Sequence, residues 1–224
     1  MAARTEEGLR AGGIGAAAGE MRARARLIVV TGLPRSGTSM AMRMLGAGGV
    51  PLVDDGRRAP SPANPHGWFE DERVRRLRDD ASWLRDVVGR AVKIVLPLVS
   101  AIPADLPCDF VWMRRPIEEV LASQRRMLGA GTSPGGAAAV PRPTAAAASD
   151  PGEDEVLARA FDRAVADFAG RRGAGWRVLE LDYAAALAAP ARAAEMLAGF
   201  VGEPFDRAAA ARAVDASLRR SALR

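Results

Sequence analysis

The sequence predicts an α/β fold, a three-layer sandwich with a mostly parallel central sheet. Three observations carry this. Four short apolar runs, at 27–31, 91–96, 109–113 and 176–181, read as strands. The first, LIVVT, is rich in β-branched residues and apolar almost throughout, as in a strand covered on both faces. Amphipathic helical stretches lie between and after the four runs, an alternation that favours parallel strands joined by crossovers.

The elements follow in order. Residues 1–25 are rich in Ala, Gly and Arg without a clean period, so a flexible N-terminal arm is expected. Residues 26–224 are expected to form a single domain. LIVVT at 27–31 ends in a glycine turn, and 37–47 reads as the helix that follows. Prolines and polar turn residues make 50–67 mostly loop. From Glu70 to about Val88, Val74, Leu77, Ala81 and Leu84 are spaced for one face of a helix. AVKIVL at 91–96 and DFVWM at 109–113 are the next strands.

Pro116 opens a helix with Ile117, Val120, Leu121, Gln124 and Leu128 on one side. Residues 129–152 are an Ala/Pro/Gly/Ser/Thr insert, expected to be flexible. Leu157, Phe161, Val165 and Phe168 form the stripe of a helix over 153–169. WRVLEL at 176–181 is the last strand. Asp182 and Pro190 introduce two short helices, with Gly202-Glu203-Pro204 as a stop.

Composition narrows the function. Of 224 residues, 49% are hydrophobic, enough for a real core. The formal charge is +5, almost all of its positive side being arginine, and Lys93 is the sole lysine. The basic residues are scattered and not interleaved with aromatics, so a nucleic-acid groove is not favoured and a small polyanion suits the charge. The lone Cys108 excludes an internal disulfide and a cysteine zinc site. No run reaches the 18 apolar residues of a membrane span, and the N-terminus, with Glu6, Glu7 and Glu20 among arginines and glycines, lacks a continuous apolar h-region and is a poor secretory signal. A cytoplasmic protein is expected; the sequence does not give its oligomeric state.

VVTGLPRSGTSM at 29–40 is the most informative stretch. Its strand, glycine loop and helix start wrap main-chain N–H groups around an oxyanion. Gly32 and Gly37 have the spacing of G-x-x-x-x-G-K-[ST], but Thr38 stands where the lysine should be. The hydroxyls of Ser36, Thr38 and Ser39 can donate hydrogen bonds, and Arg35 brings a cation. Neither later strand ends in the acidic residue that helps hold magnesium, so magnesium-dependent triphosphate chemistry is disfavoured. The loop suits a smaller anion bound without metal.

GLPRSGTSM, from Gly32 through Pro34 and Arg35 to Met40, resembles the 5′-phosphosulfate loop of the sulfotransferases, P-[KR]-S/T-G-T-[TS]. The resemblance implies a P-loop nucleoside triphosphate hydrolase-like fold. It implies transfer of a sulfuryl group from 3′-phosphoadenosine 5′-phosphosulfate (PAPS) to a hydroxyl or amine of a small-molecule or glycan acceptor. The family's 3′-phosphate motif places an arginine at a strand end and a serine eight residues on, as Arg115 and Ser123 stand here. Eight helical residues leave two side chains about 80° apart around the axis, so both can reach one phosphate. Pro116 follows Arg115 directly, where the family often has a residue between, so Arg114 is the alternative ligand.

The stretch WRVLELDYAAALAAPARAAEMLAGFVGEPFD resembles the family's closing strand, acidic loop and helix, and the likeness runs from about Leu27 to Asp206. The C-terminal G-x-x-G-x-x-K loop of the cytosolic enzymes has no counterpart, which points to the divergent bacterial members.

For the acceptor's base, NPHGWFE at 64–70 resembles the N-P-x-G-[YW]-[FY]-E pattern of bacterial relatives and offers both Glu70 and His66. Burial against Trp68 and Phe69 would raise the pKa of Glu70 towards a useful range, which ranks it first. The ordinary pKa of histidine keeps His66 as the alternative. Lys93, inside an apolar strand, needs a partner or a ligand; the resemblance implies stabilising a leaving oxygen. Two rivals remain open: a small-molecule kinase on the same fold, and a non-catalytic nucleotide-binding module.

Overall fold

The computed structural model describes residues 26–61, 64–129, 151–170 and 176–218. The expectations for the arm at 1–25 and for most of the insert at 129–152 lie outside them. The chain is α/β. Strands β1 (Leu27–Gly32), β2 (Ala91–Lys93), β3 (Cys108–Arg114) and β4 (Arg177–Asp182) form an all-parallel sheet in the order β2-β1-β3-β4. Helices α1 (Thr38–Ala47), α2 (Ile117–Gly129), α3 (Pro151–Gly170), α4 (Tyr183–Ala188), α5 (Pro190–Val201) and α6 (Arg207–Arg212) join and follow the strands.

Side chains alternate across the pleat, so each strand feeds two cores. Val29, Val92, Phe110 and Trp112 face one side, under Leu157, Phe161 and Phe168 of α3. Val30, Val111, Met113 and Leu181 face the other, under Met42 and Leu45 of α1 and Leu197 of α5. Each fully buried Phe or Leu contributes about 1.5–3 kcal/mol. Phe168 also meets Phe110 and Trp112 edge to face at 5.3 and 5.1 Å. This two-faced cover is that of a three-layer α/β sandwich. Among the described residues no helix is long and apolar enough to cross a membrane.

Two elements differ from expectation. The helix foreseen from Glu70 to Val88 is two 3₁₀ turns, Glu72–Arg76 and Ser82–Val87. Asp71 accepts the N–H of Arg73 at 3.0 Å and Asp80 that of Ser82 at 2.9 Å, so aspartate side chains close short turns in place of a continuing helix. Leu77 and Leu84 still reach the core. The strand foreseen to Leu96 stops at Lys93, and Pro97, which has no N–H for a ladder, sits in the first turn of the 3₁₀ helix Leu96–Ala101.

Cys108 is fully buried, and burial pushes its thiol up to about 12. Iodoacetamide at about pH 8 should therefore leave it unmodified in the folded protein and alkylate it in urea. Equal rates in buffer and urea would contradict this packing.

Candidate functional site

All four strands point their carboxyl ends to one edge of the sheet, where ligands of such sheets bind. β1 ends there at Gly32. The chain turns through Leu33–Ser36, closed by Ser36 N–H to Leu33 C=O at 3.0 Å, and enters α1. A Cβ on Gly32 would lie 2.4 Å from Ser36 Oγ and 2.7 Å from the carbonyl oxygen of Met113. Gly37 has φ 105°, and a Cβ there would lie 2.5 Å from Tyr183 Cδ2. Between them Arg35 takes φ 74° without being glycine, a strain of about 1–3 kcal/mol that only surrounding contacts can hold. Its carbonyl accepts from Arg115 Nη1 at 2.9 Å, and its Nε donates to Ser123 Oγ at 3.1 Å.

The start of α1 is built differently from those of α4 and α6. There Asp182 and Asp206 cap the first turn, accepting from Ala185 N–H and Ala209 N–H at 2.8 Å each. α1 follows Gly37, which has no side chain to do so, and α5 likewise follows the capless Ala189. The first-turn amides of α1 therefore present uncompensated positive charge. Beside them Ser36 Oγ is buried without a hydrogen-bond partner among the described residues.

Cations gather at this loop. Burial, and next the neighbouring Arg115, hold the Arg35 guanidinium below the usual arginine range, with Arg58 and Arg126 acting in the same direction. Arg115 is nearly enclosed: its Nε bonds Glu119 Oε2 at 3.0 Å, and its guanidinium carbon lies 4.4 Å from the Tyr183 ring centroid. Arg114 turns away and donates to Glu180 Oε2 at 2.9 Å. Of the two arginines, the structure brings Arg115 to the loop with Ser123.

A second group lies on the β2 side. Lys93 is buried, with its Nζ 2.9 Å from Glu70 Oε1, 3.5 Å from Ser39 Oγ, and bonded to the carbonyl of Trp68. Burial pushes its ammonium below the usual lysine range, against the opposing pull of Glu70. Arg58 Nη1 holds the other Glu70 oxygen at 2.9 Å, and its guanidinium carbon lies 3.3 Å from the Trp68 ring centroid. Glu70 thus sits in an ion-paired seat between two cations, not in the apolar setting foreseen from Trp68 and Phe69.

The Ser39 hydroxyl is also committed. It donates to Trp68 C=O at 3.3 Å and receives Asn64 Nδ2 at 3.1 Å. It ties the loop to the 64–70 segment rather than facing an anion, so only its amide remains for that task. His66 is not beside Glu70's partners; its Nε2 lies 2.7 Å from Asp215 Oδ2. Pro34 lies in the turn, and Thr38 is buried at the first position of α1.

Arg58 and Tyr183 were not foreseen from sequence, and Asn64 stood only as the first residue of the NPHGWFE pattern. Tyr183 follows the end of β4, so the rule that ligands gather at carboxyl ends of strands points to it. For Arg58, in a proline-rich loop, no local signal exists.

The site therefore combines an uncapped helix start, the orphaned Ser36 hydroxyl and a cluster of guanidiniums, facing a lysine–glutamate pair. Among the described residues no group of His, Cys, Asp or Glu gathers as a metal site. No protein-family model matches the chain, and no curated protein matches it.

Proposed function

We propose that this chain is a PAPS-dependent sulfotransferase with a P-loop-type sandwich. The observation that carries the proposal is the uncapped start of α1 beside the buried, unpartnered Ser36 hydroxyl, with Arg35, Arg115 and Ser123 in direct contact around it. These donors fit PAPS, whose phosphosulfate and 3′-phosphate are anions a short nucleoside apart. The amides of Arg35, Gly37, Thr38 and Ser39 with Ser36 Oγ would hold the first, the Ser36 amide being spent on Leu33 C=O, and Arg115 with Ser123 the second. When bound, PAPS supplies the sulfuryl group to be transferred.

The chain's own residues then do three things. The loop amides and Lys93 direct positive charge to the start of α1 and stabilise negative charge that develops there. Glu70, 2.9 Å from Lys93, takes the proton of the acceptor's O–H or N–H. Trp68, buried under Arg58, shapes that side of the site.

Calorimetry tests this directly. Adenosine 3′,5′-bisphosphate should bind without added metal, and ATP with magnesium poorly. Arg115→Ala should weaken the bisphosphate at least tenfold, the loss of one charged hydrogen bond of about 1.5–3 kcal/mol, while Arg114→Ala leaves it unchanged. Tight magnesium-dependent ATP binding would favour a kinase. Bisphosphate binding with no sulfated product from labelled PAPS across an acceptor panel would favour a non-catalytic module.

A further inference from the structure

The segment that carries Asn64, Trp68 and Glu70 is held at both ends by contacts from distant parts of the chain. At its C-terminal end Glu70 is gripped by Lys93 and Arg58. Near its N-terminal end His66 Nε2 meets Asp215 Oδ2 at 2.7 Å, across 149 residues of sequence. The backbone between is under tension: Phe69, a bulky non-glycine residue, has φ 51°. Such a conformation persists only where the surroundings over-determine it.

Asp215 is well placed to be one of those surroundings. Its Oδ1 accepts the N–H and Oγ of Ser217 at 3.0 and 2.6 Å, which fixes the carboxylate on the last 3₁₀ turn, Ala216–Leu218. Its Oδ2 is then aimed at His66. The bond to His66, with those to Ser217, lowers the Asp215 carboxyl to about 2, so it is an anion throughout the neutral range. Arg43 of α1 adds its field to the same carboxylate. Next to Asp215, Val214 packs against the core on the α1 side of the sheet, which anchors this end of the chain to the domain.

We propose that Asp215 is a positioning residue: through His66 it latches residues 64–70 in place, so that the C-terminal turn controls how Trp68 and Glu70 are presented beside the loop. The proposal stands on this geometry and does not depend on which reaction the site performs. It gives the single histidine a task other than proton transfer. Both partners are partly exposed, with side-chain exposures of 40% and 31%, so the latch is weak enough to open and close reversibly.

Hydrogen exchange of the full chain, followed by mass spectrometry, tests it. Asp215→Ala should speed exchange of peptides within 64–70 by up to about fivefold, the upper end for a partly exposed ion pair. Peptides of β1 and β3 should be unchanged. His66→Ala should speed the same peptides to the same extent, and adding Asp215→Ala to it should speed them no further, which a general loosening of the C-terminal turn would not give. Unchanged exchange at 64–70 in Asp215→Ala, or additive effects of His66→Ala and Asp215→Ala, would overturn the proposal. If exchange rises equally in β1 and β3, Asp215 serves global stability alone and the proposal also falls.

Discussion

Glu70→Gln should lower turnover by about 10²–10⁴-fold, the usual contribution of a general base, and leave the affinity for adenosine 3′,5′-bisphosphate unchanged. Glutamine keeps the shape of the side chain and an oxygen for Lys93, but it cannot take a proton. Turnover with labelled PAPS and calorimetry on the same preparation separate the two effects. A fully active variant would move the proton acceptor to another group, His66 first.

The same change leaves the buried Lys93 without its counter-ion, so stability should fall by about 1.5–3 kcal/mol near neutral pH. The sign of its pH dependence follows from the lysine. Its ammonium is already below the ordinary 10.5, and losing Glu70 removes the group that opposes this. Between the folded value and 10.5 the unfolded chain binds more protons, so stability rises with pH in that window. The deficit of Glu70→Gln should therefore shrink as pH is raised, and urea denaturation along a pH series would show it. A deficit that grows with pH would mean that Lys93 is not the group left behind.

Gly37→Ala should abolish anion binding at the loop. At φ 105° a side chain costs about 1–2 kcal/mol. The added carbon would also lie 2.5 Å from Tyr183 Cδ2, and the Tyr183 ring lies against the guanidinium of Arg115. Relief of that clash pushes apart the residues that enclose the loop. Gly49→Ala is the matching control: φ is 101°, with nothing within 4 Å of the added carbon. It should show the backbone strain in thermal unfolding and bind adenosine 3′,5′-bisphosphate normally. Equal loss of binding in both variants would trace the effect to stability rather than to the Tyr183 contact.

The parts of the fold legible in the sequence are those set by neighbours a few residues apart. The β-branched run before Gly32, the period of α1, Pro116 ahead of α2 and the stripe Leu157, Phe161, Val165, Phe168 each act locally, and each element stands where its pattern put it. The stretch from Glu70 to Val88 shows the limit. Its apolar spacing was right, since Leu77 and Leu84 are buried, yet Asp71 and Asp80 compete for backbone N–H groups and win locally. Helix α6, capped by Asp206, was missed because its alanine-rich run has no amphipathic stripe to mark it.

By itself the sequence determined where the loop lies: two glycines with a strand before them and a helix after them. It also determined that the loop has no lysine of its own. Only the tertiary structure decided that a lysine arrives from elsewhere, because the parallel pairing of β1 with β2 sets Lys93 opposite Val30 and brings its Nζ to 3.5 Å from Ser39 Oγ. It likewise chose between adjacent arginines, since neighbouring residues at a strand end leave in opposite directions: Arg115 to the loop, Arg114 to Glu180. Backbone preferences reach only a few residues along the chain, whereas strand register and sheet facing fix which distant side chains meet.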